Sequence, residues 1–450
     1  MQEMMELKMS EKWAGLSPYE KQEARFRLWL SPDGVKFVRT EAEKAYKERV
    51  NRLISAIKLK ESDRVPVMMP PGFSPVYCAG EKLHKVMYDY DELRRLWLKF
   101  LHDFDTDAYC GPELVFPGKV FDSIDFKSFK WPGHGLSPDA PTYQYIEGEY
   151  MKADEYDILI NDPSDFWMRI YLPRVIGAFE PFKRLMPLNP LVGIPVGHLI
   201  AYGMPDIQAA LQILLDAGKE SAKWAAVTAD CNRKILEIGV PLIYGGIAMA
   251  PFDGIADMVR GTNGTMLDMY RQPEKLLEAM KKITPMTIGA AVSGADASGC
   301  PLVFMPLHKG DDGFMSQKQF ETFYWPTLKE VCLGLINEGI VPLLLAEGKY
   351  NTRLEIIKDL PRGAAVWWFE QTDMARAKKI LGDTQCICGN VPAPMLSTGT
   401  PGEVKEYCQK LIEVASKGGG LILTSGAYTD QGNPDNLRAM MEAAKEYGIY

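Results

Sequence analysis

From Arg64 onward the chain alternates two kinds of segment. Short apolar runs end in Gly, Pro or a polar side chain, and amphipathic stretches of helical period lie between them. The runs are VPVMM (65–69), TDAYC (106–110), LVGIPVG (191–197), PLIYGGIAM (241–249), LVFMPLH (302–308), VPLLLAE (341–347), AAVWWFE (364–370), QCICGN (385–390) and GLILTSG (420–426). Strands apolar on both faces belong in a parallel sheet covered on both sides. Eight or so strand–helix units predict a (β/α)8 TIM barrel of the α/β class, and nine candidates for eight places mean that one run is not a barrel strand.

Two stretches depart from this rhythm. Residues 1–60 are charged and helical in pattern, and TEAEKAYKERVNRLISAIKLK spaces its apolar residues for one face, with Thr40 as N-cap and Glu43 three residues later. The expected organisation is an N-terminal helical extension over 1–60 and a barrel over 61–450. Residues 111–165 are rich in Gly, Pro and aromatics and predict an insertion of loops and hairpins over one barrel mouth.

Composition narrows the classes. A net charge of −8, from 51 basic and 59 acidic residues with no basic run, argues against nucleic acid as a partner. No apolar segment is long enough to span a bilayer, and MQEMMELKMSEKW has no signal-peptide core, so a cytoplasmic location is expected. The eight cysteines form no CxxC pair, which fits a reducing compartment. Oligomeric state is not readable from the chain, and a homodimer stays open.

The chemistry of such a barrel sits where its strands end. There LVFMPLH offers His308, followed by Asp311 and Asp312; VPLLLAE offers Glu347; AAVWWFE offers Glu370; QCICGN offers Cys388 and Asn390; GLILTSG leads to Tyr428. Imidazole, carboxylate and thiolate are zinc ligands, so His308, Glu347 and Cys388 form a candidate metal set, and His308, Glu347 and Glu370 a candidate catalytic set. Tyr350, Trp368, Asn390 and Tyr428 are candidates for substrate contact. Each has a structural alternative. His308 can serve the core, Glu347 can pair with Lys349 or Arg353, Glu370 can open a helix capped by Thr372 or Asp373, and Cys388 can be core packing. Asp311 and Asp312 read as loop or capping residues, and the aromatics at 320 and 323–325 as a helix-packing surface.

The segment GDTQCICGNVPAPMLSTGTPGEVKEYCQKLIEVASKGGGLILTSGAYTDQGNPDNLRAMMEAAKEYG resembles the C-terminal part of the uroporphyrinogen decarboxylase superfamily, with DRVPVM and DDGFMSQKQFETFYWPTLKEV adding to the likeness over about 60–450. The resemblance implies a (β/α)8 barrel. The decarboxylases proper carry an arginine-rich stretch after the first strand, whereas VPVMMPPGFSPVYCAG (65–80) has no arginine with which to hold a polycarboxylate. The other branch of the superfamily consists of zinc-containing, corrinoid-dependent methyltransferases. Their HxCGK motif falls on LAEGK, placing Leu345 at the histidine, Glu347 at the first cysteine and Ala427 near the second. All three positions depart from the thiol-activating pattern. The resemblance therefore implies a methyltransferase of the O-demethylating kind. It would take the methyl of a small methylated substrate, with a metal (zinc) or a protonated acid on the leaving oxygen, and pass it to the cobalamin of a partner corrinoid protein. A metal-free lyase or decarboxylase using His308, Glu347 and Glu370 is the alternative.

Overall fold

The computed structural model describes residues 11–187 and 196–450. Eight strands close a parallel barrel: β1 (Met68–Met69), β2 (Ala108–Tyr109), β3 (Gly246–Ile247), β4 (Leu302–Leu307), β5 (Val341–Ala346), β6 (Val366–Phe369), β7 (Cys386–Val391) and β8 (Leu421–Ser425). Strands β3 to β8 form one sheet in chain order, β1 pairs with β2, and the parallel bridges Val67–Leu423 and Tyr109–Leu242 join the two sheets at both seams. Every apolar run predicted as a strand supplies one of these eight except 191–197. Residues 188–195 lie outside the described residues, and Val196–Leu199 is a helical turn.

Strand β5 shows why the runs are apolar throughout. Leu343 and Leu345 face the barrel interior with Phe304, Val366, Trp368 and Cys388, while Leu344 and Ala346 face the surrounding helices. The lower end of the interior is plugged by the N-terminal helices Pro18–Leu30 and Thr40–Ile57, which add Phe26, Trp29, Tyr46, Val50, Leu53 and Ile57 to the same cluster. A buried ion-pair knot locks this plug in place. Asp107 is fully buried and takes Arg64 Nη1 at 2.6 Å, Arg52 Nη1 at 3.0 Å and the Val67 N–H at 2.8 Å. Thr40 is not the N-cap expected of it; Arg39 holds that place without a side-chain bond. Plugging one end leaves the C-terminal mouth as the way in.

The insertion is anchored at that mouth. Phe129–Pro132 pairs antiparallel with Gln144–Tyr145 over a nest containing Phe116, Phe121 and Tyr143. The Tyr145 hydroxyl donates to the Asp257 carbonyl, and the Met151 N–H donates to Val259 O at 2.8 Å. At the far end of the chain, helix Pro401–Ala415 opens with a Thr400–Glu403 capping box, and Gly418–Gly420, all at φ near +78°, return the chain into β8. A Cβ on Gly419 would lie 2.3 Å from the Lys60 carbonyl carbon, so only glycine fits that turn. No helix among the described residues is long and apolar enough to cross a membrane.

Candidate active site at the C-terminal mouth

The chain leaving β3 runs into Pro251–Asp253 and then a widened turn, Gly254–Val259, closed by the i to i+5 bond from Arg260 N–H to Ile255 O at 2.7 Å. This turn brings Asp253 and Asp257 against the end of β4. Asp253 is fully buried and acts as the anchor of the β4 terminus. Its carboxylate accepts from the backbone N–H groups of His308 (3.0 Å) and Lys309 (3.1 Å) and from the Tyr324 hydroxyl (2.6 Å). Burial, reinforced by the charge of Asp257, lifts its pKa to about 7 against the opposing pull of His308 and the donors.

Asp257 holds the imidazole. Its Oδ2 lies 2.6 Å from His308 Nδ1, and its Oδ1 lies 3.2 Å from Lys309 Nζ. The opposite ring nitrogen, Nε2, looks across 3.8 Å to Glu347 Oε1. Burial works against the imidazolium, but the Asp257 hydrogen bond and the charges of Glu347, Asp253 and Asp257 outweigh it and raise His308 to about 9. The ring is therefore charged at neutral pH, with one N–H fixed and the other turned to the mouth. Glu347 keeps 42% of its side-chain surface open, yet the recess around it and the neighbouring Glu370 push its pKa up against His308 and Lys309.

Glu370 is fastened to the turn beyond Glu347, its Oε2 accepting the Gly348 N–H at 2.6 Å. Gly348 has φ +78°, and a Cβ there would lie 2.5 Å from Asp311 Oδ2. The structural partners considered for Glu347 do not claim it. Arg353 turns away to the carbonyls of Gly310 and Asp311 and stands 3.7 Å from Asp312. Asp311 caps its own loop at Phe314 N–H (2.6 Å), Asp312 ties that loop to Thr352 Oγ1 (2.6 Å), and Asp373 caps helix Met374–Leu381.

Below this polar ring lies an aromatic floor. Tyr244 stacks on Phe304 (5.0 Å), Tyr428 and Trp368 close around Phe304 at 5.8 and 6.0 Å, and the Tyr244 and Tyr428 hydroxyls meet at 3.0 Å. Of the four expected substrate contacts, Tyr428 is half-buried in this floor, and Trp368 is fully buried with its indole N–H on Ser425 O. Tyr350 requires correction. It follows β5 outside the barrel wall, fully buried against Phe320 and Trp367, and does not line the mouth. Asn390 is occupied by Thr372 O and the Tyr407 hydroxyl, and with Glu370 it lines a cleft of ≈ 680 Å³ beside the mouth.

The expected zinc set also requires correction. Cys388 lies inside the barrel wall with no exposed surface, and burial pushes its thiol well above the ordinary range, so it is a neutral core side chain. Among the described residues, no group of three His, Cys, Asp or Glu side chains is arranged to hold a metal ion. The donor set does not fit zinc.

Reading strand ends missed Asp253, Asp257, Lys309 and Tyr324. The available signal was the two acids four apart in APFDGIADMV, directly after a strand.

The sequence profile of the Uroporphyrinogen decarboxylase (URO-D) family matches residues 205–447, more than half of the chain. The chain belongs to the uroporphyrinogen decarboxylase family. Among curated relatives, the uroporphyrinogen decarboxylase of Chlorobium luteolum is 26% identical over 303 residues, covering 64% of this chain and 77% of that protein. That of Chlorobaculum parvum is 25% identical over 291 residues, covering 60% and 80%. Among solved structures, a methyltransferase from Methanosarcina mazei superposes with TM-score 0.54 at 15% identity, covering 89% of this chain and 98% of its own. At that identity the likeness shows the shared barrel. This family member keeps an acidic ring around a single imidazole at its mouth, and the family match includes β3 to β8 and every residue of that ring.

Proposed function

We propose that the protein removes a methyl group from a small methoxylated compound and delivers it to the corrinoid of a partner protein. The observation that carries this reading is the imidazole of His308, clamped at Nδ1 by Asp257 and presenting Nε2 beside Glu347. An ether oxygen leaves poorly as an anion, so a positioned proton is what the reaction needs from the enzyme. The corrinoid, bound in its carrier protein, supplies the nucleophilic cobalt that takes the methyl carbon.

The remaining work falls to this chain. His308 Nε2–H gives its proton to the ether oxygen as the carbon–oxygen bond breaks, so a neutral alcohol departs and no oxyanion has to be held. Asp257 fixes the ring orientation through Oδ2, while its Oδ1 pairs with Lys309 Nζ. Glu347, open to water, returns a proton to Nε2 between turnovers. Gly246 faces Ala291 and Ala295 of helix Pro273–Ser298, so its neighbour Ile247, 53% exposed, faces the inside of the mouth and offers apolar surface to the methyl-bearing end of the substrate.

Decarboxylation, the activity in the names of the curated relatives, is the second reading. The ring disfavours it: Asp257, Glu347 and Glu370 repel a polycarboxylate, and His308 and Lys309 offset them in part. The test is incubation of the protein with cob(I)alamin and a panel of methoxyarenes, following methylcobalamin by absorbance and the freed phenol by chromatography. Both products, lost together in His308→Gln, are expected. Carbon dioxide release from a carboxylated substrate without any corrinoid would overturn the reading in favour of the second.

A further inference from the structure

A second cavity, of ≈ 570 Å³, lies outside the barrel wall on the plugged side, between the N-terminal helices, helix Pro205–Glu237 and the end of helix Pro273–Ser298. It exists because the wall is thin there. β2 and β3 share only the Tyr109–Leu242 bridge, and Gly245, Gly294 and Gly299 line the space without side chains to fill it. Trp29, Leu236 and Leu242 provide apolar wall.

Glu113 lines this cavity and takes no part in the chemistry of the mouth. It is held deliberately. Asn232 donates to its Oε1, Tyr109 fixes Asn232 through a 3.0 Å hydroxyl bond, and the carboxylate folds over Gly111, where a Cβ would collide with it. Among the described residues no lysine, arginine or histidine forms an ion pair with it. Burial raises its pKa, as expected of a carboxyl group lacking a counter-charge. Arginines also line the cavity, but both are neutralised. Arg25 is spent on Asp296 (2.9 Å) and Glu338 O (2.7 Å), and Arg233 on Asp230 and Glu237. A half-buried carboxylate beside apolar and aromatic wall, with both arginines of the cavity already paired, lacks one partner: a positive charge carried on an apolar body.

We propose that this cavity is a binding site for a small organic ammonium ion, held by Glu113 and independent of the catalytic mouth. The test is isothermal titration calorimetry of the whole chain at pH 7.5 with benzylammonium, and with benzyl alcohol as its neutral counterpart. Benzylammonium should bind at least tenfold more tightly than the alcohol, at least tenfold more weakly to Glu113→Gln, and unchanged to Glu347→Gln. Should Glu113→Gln fold poorly, Ala229→Trp, which obstructs the cavity from the exposed face of its helix, should abolish binding with the carboxylate intact. Equal binding of the alcohol, binding unaffected by both cavity variants, loss of binding in Glu347→Gln, or preferential binding of benzoate would each overturn the proposal.

Discussion

Replacing Asp257 by Asn tests the proton donor at its root, because the amide keeps the shape of the carboxylate and removes its charge. In the native protein His308 stands at about 9 against an ordinary 6.5, a gap of about 2.5 pH units (9 − 6.5), or roughly 3.4 kcal/mol at 1.36 per unit. The Asp257 hydrogen bond is the largest of the contributions that raise it. A hydrogen bond to a charged group contributes about 1.5–3 kcal/mol, equivalent to about one to two pH units. His308 in Asp257→Asn should accordingly titrate at about 7 to 8. Glu347 compensates little, since 42% of its side chain is open to screening solvent. The assay is a pH titration of 13C-histidine resonances, tractable with five histidines in the chain and assigned by His308→Gln. The sign for stability follows from the raised value. The native contribution is complete below about 6.5 and is lost as pH climbs through about 9, so native stability falls across that window and the variant's falls less. The upper limb of the demethylation rate should move down in step with the resonance. A His308 midpoint within about half a pH unit of the native one would refute the reasoning.

Glu347→Gln should cost about tenfold to a hundredfold in kcat for methyl transfer, with stability changed by no more than about 0.5 kcal/mol in a denaturant titration, because the group is half exposed and proton return is its task. Gly348→Ala forces a side chain into φ +78° and against Asp311, so it should destabilise by about 1–3 kcal/mol and misplace Glu370, read as a lowered Tm together with a fall in kcat. Metal analysis by mass spectrometry should find zinc well below one per chain and activity that survives a chelator. Stoichiometric zinc, lost on His308→Gln, would show that the imidazole is a ligand after all.

Much of this protein is decided locally. Apolar runs such as VPLLLA fit strands covered on both faces, and their alternation with amphipathic helices already implies a closed parallel barrel. The pairing of His308 with Glu347 was equally legible, because both end strands that are neighbours in the barrel, and such strands end at one mouth. Strand-end position does not reveal which way a residue turns once the chain leaves the sheet. Tyr350, three residues beyond Glu347, turned outward into the helix layer, and Cys388, with one face of β7 available, turned into the core. Nor does it show what a loop returns to the site. Asp253 and Asp257 reach the β4 terminus only because the turn after β3 widens and the insertion binds its far side through Tyr145. The sequence alone therefore determined the barrel and the imidazole–carboxylate pair at its mouth, properties of periodicity and strand order. Only tertiary structure decided that aspartates clamp the imidazole and lift its pKa to about 9. A proton's affinity depends on the burial and charge of every group around it, and the two aspartates come from a segment more than fifty residues away.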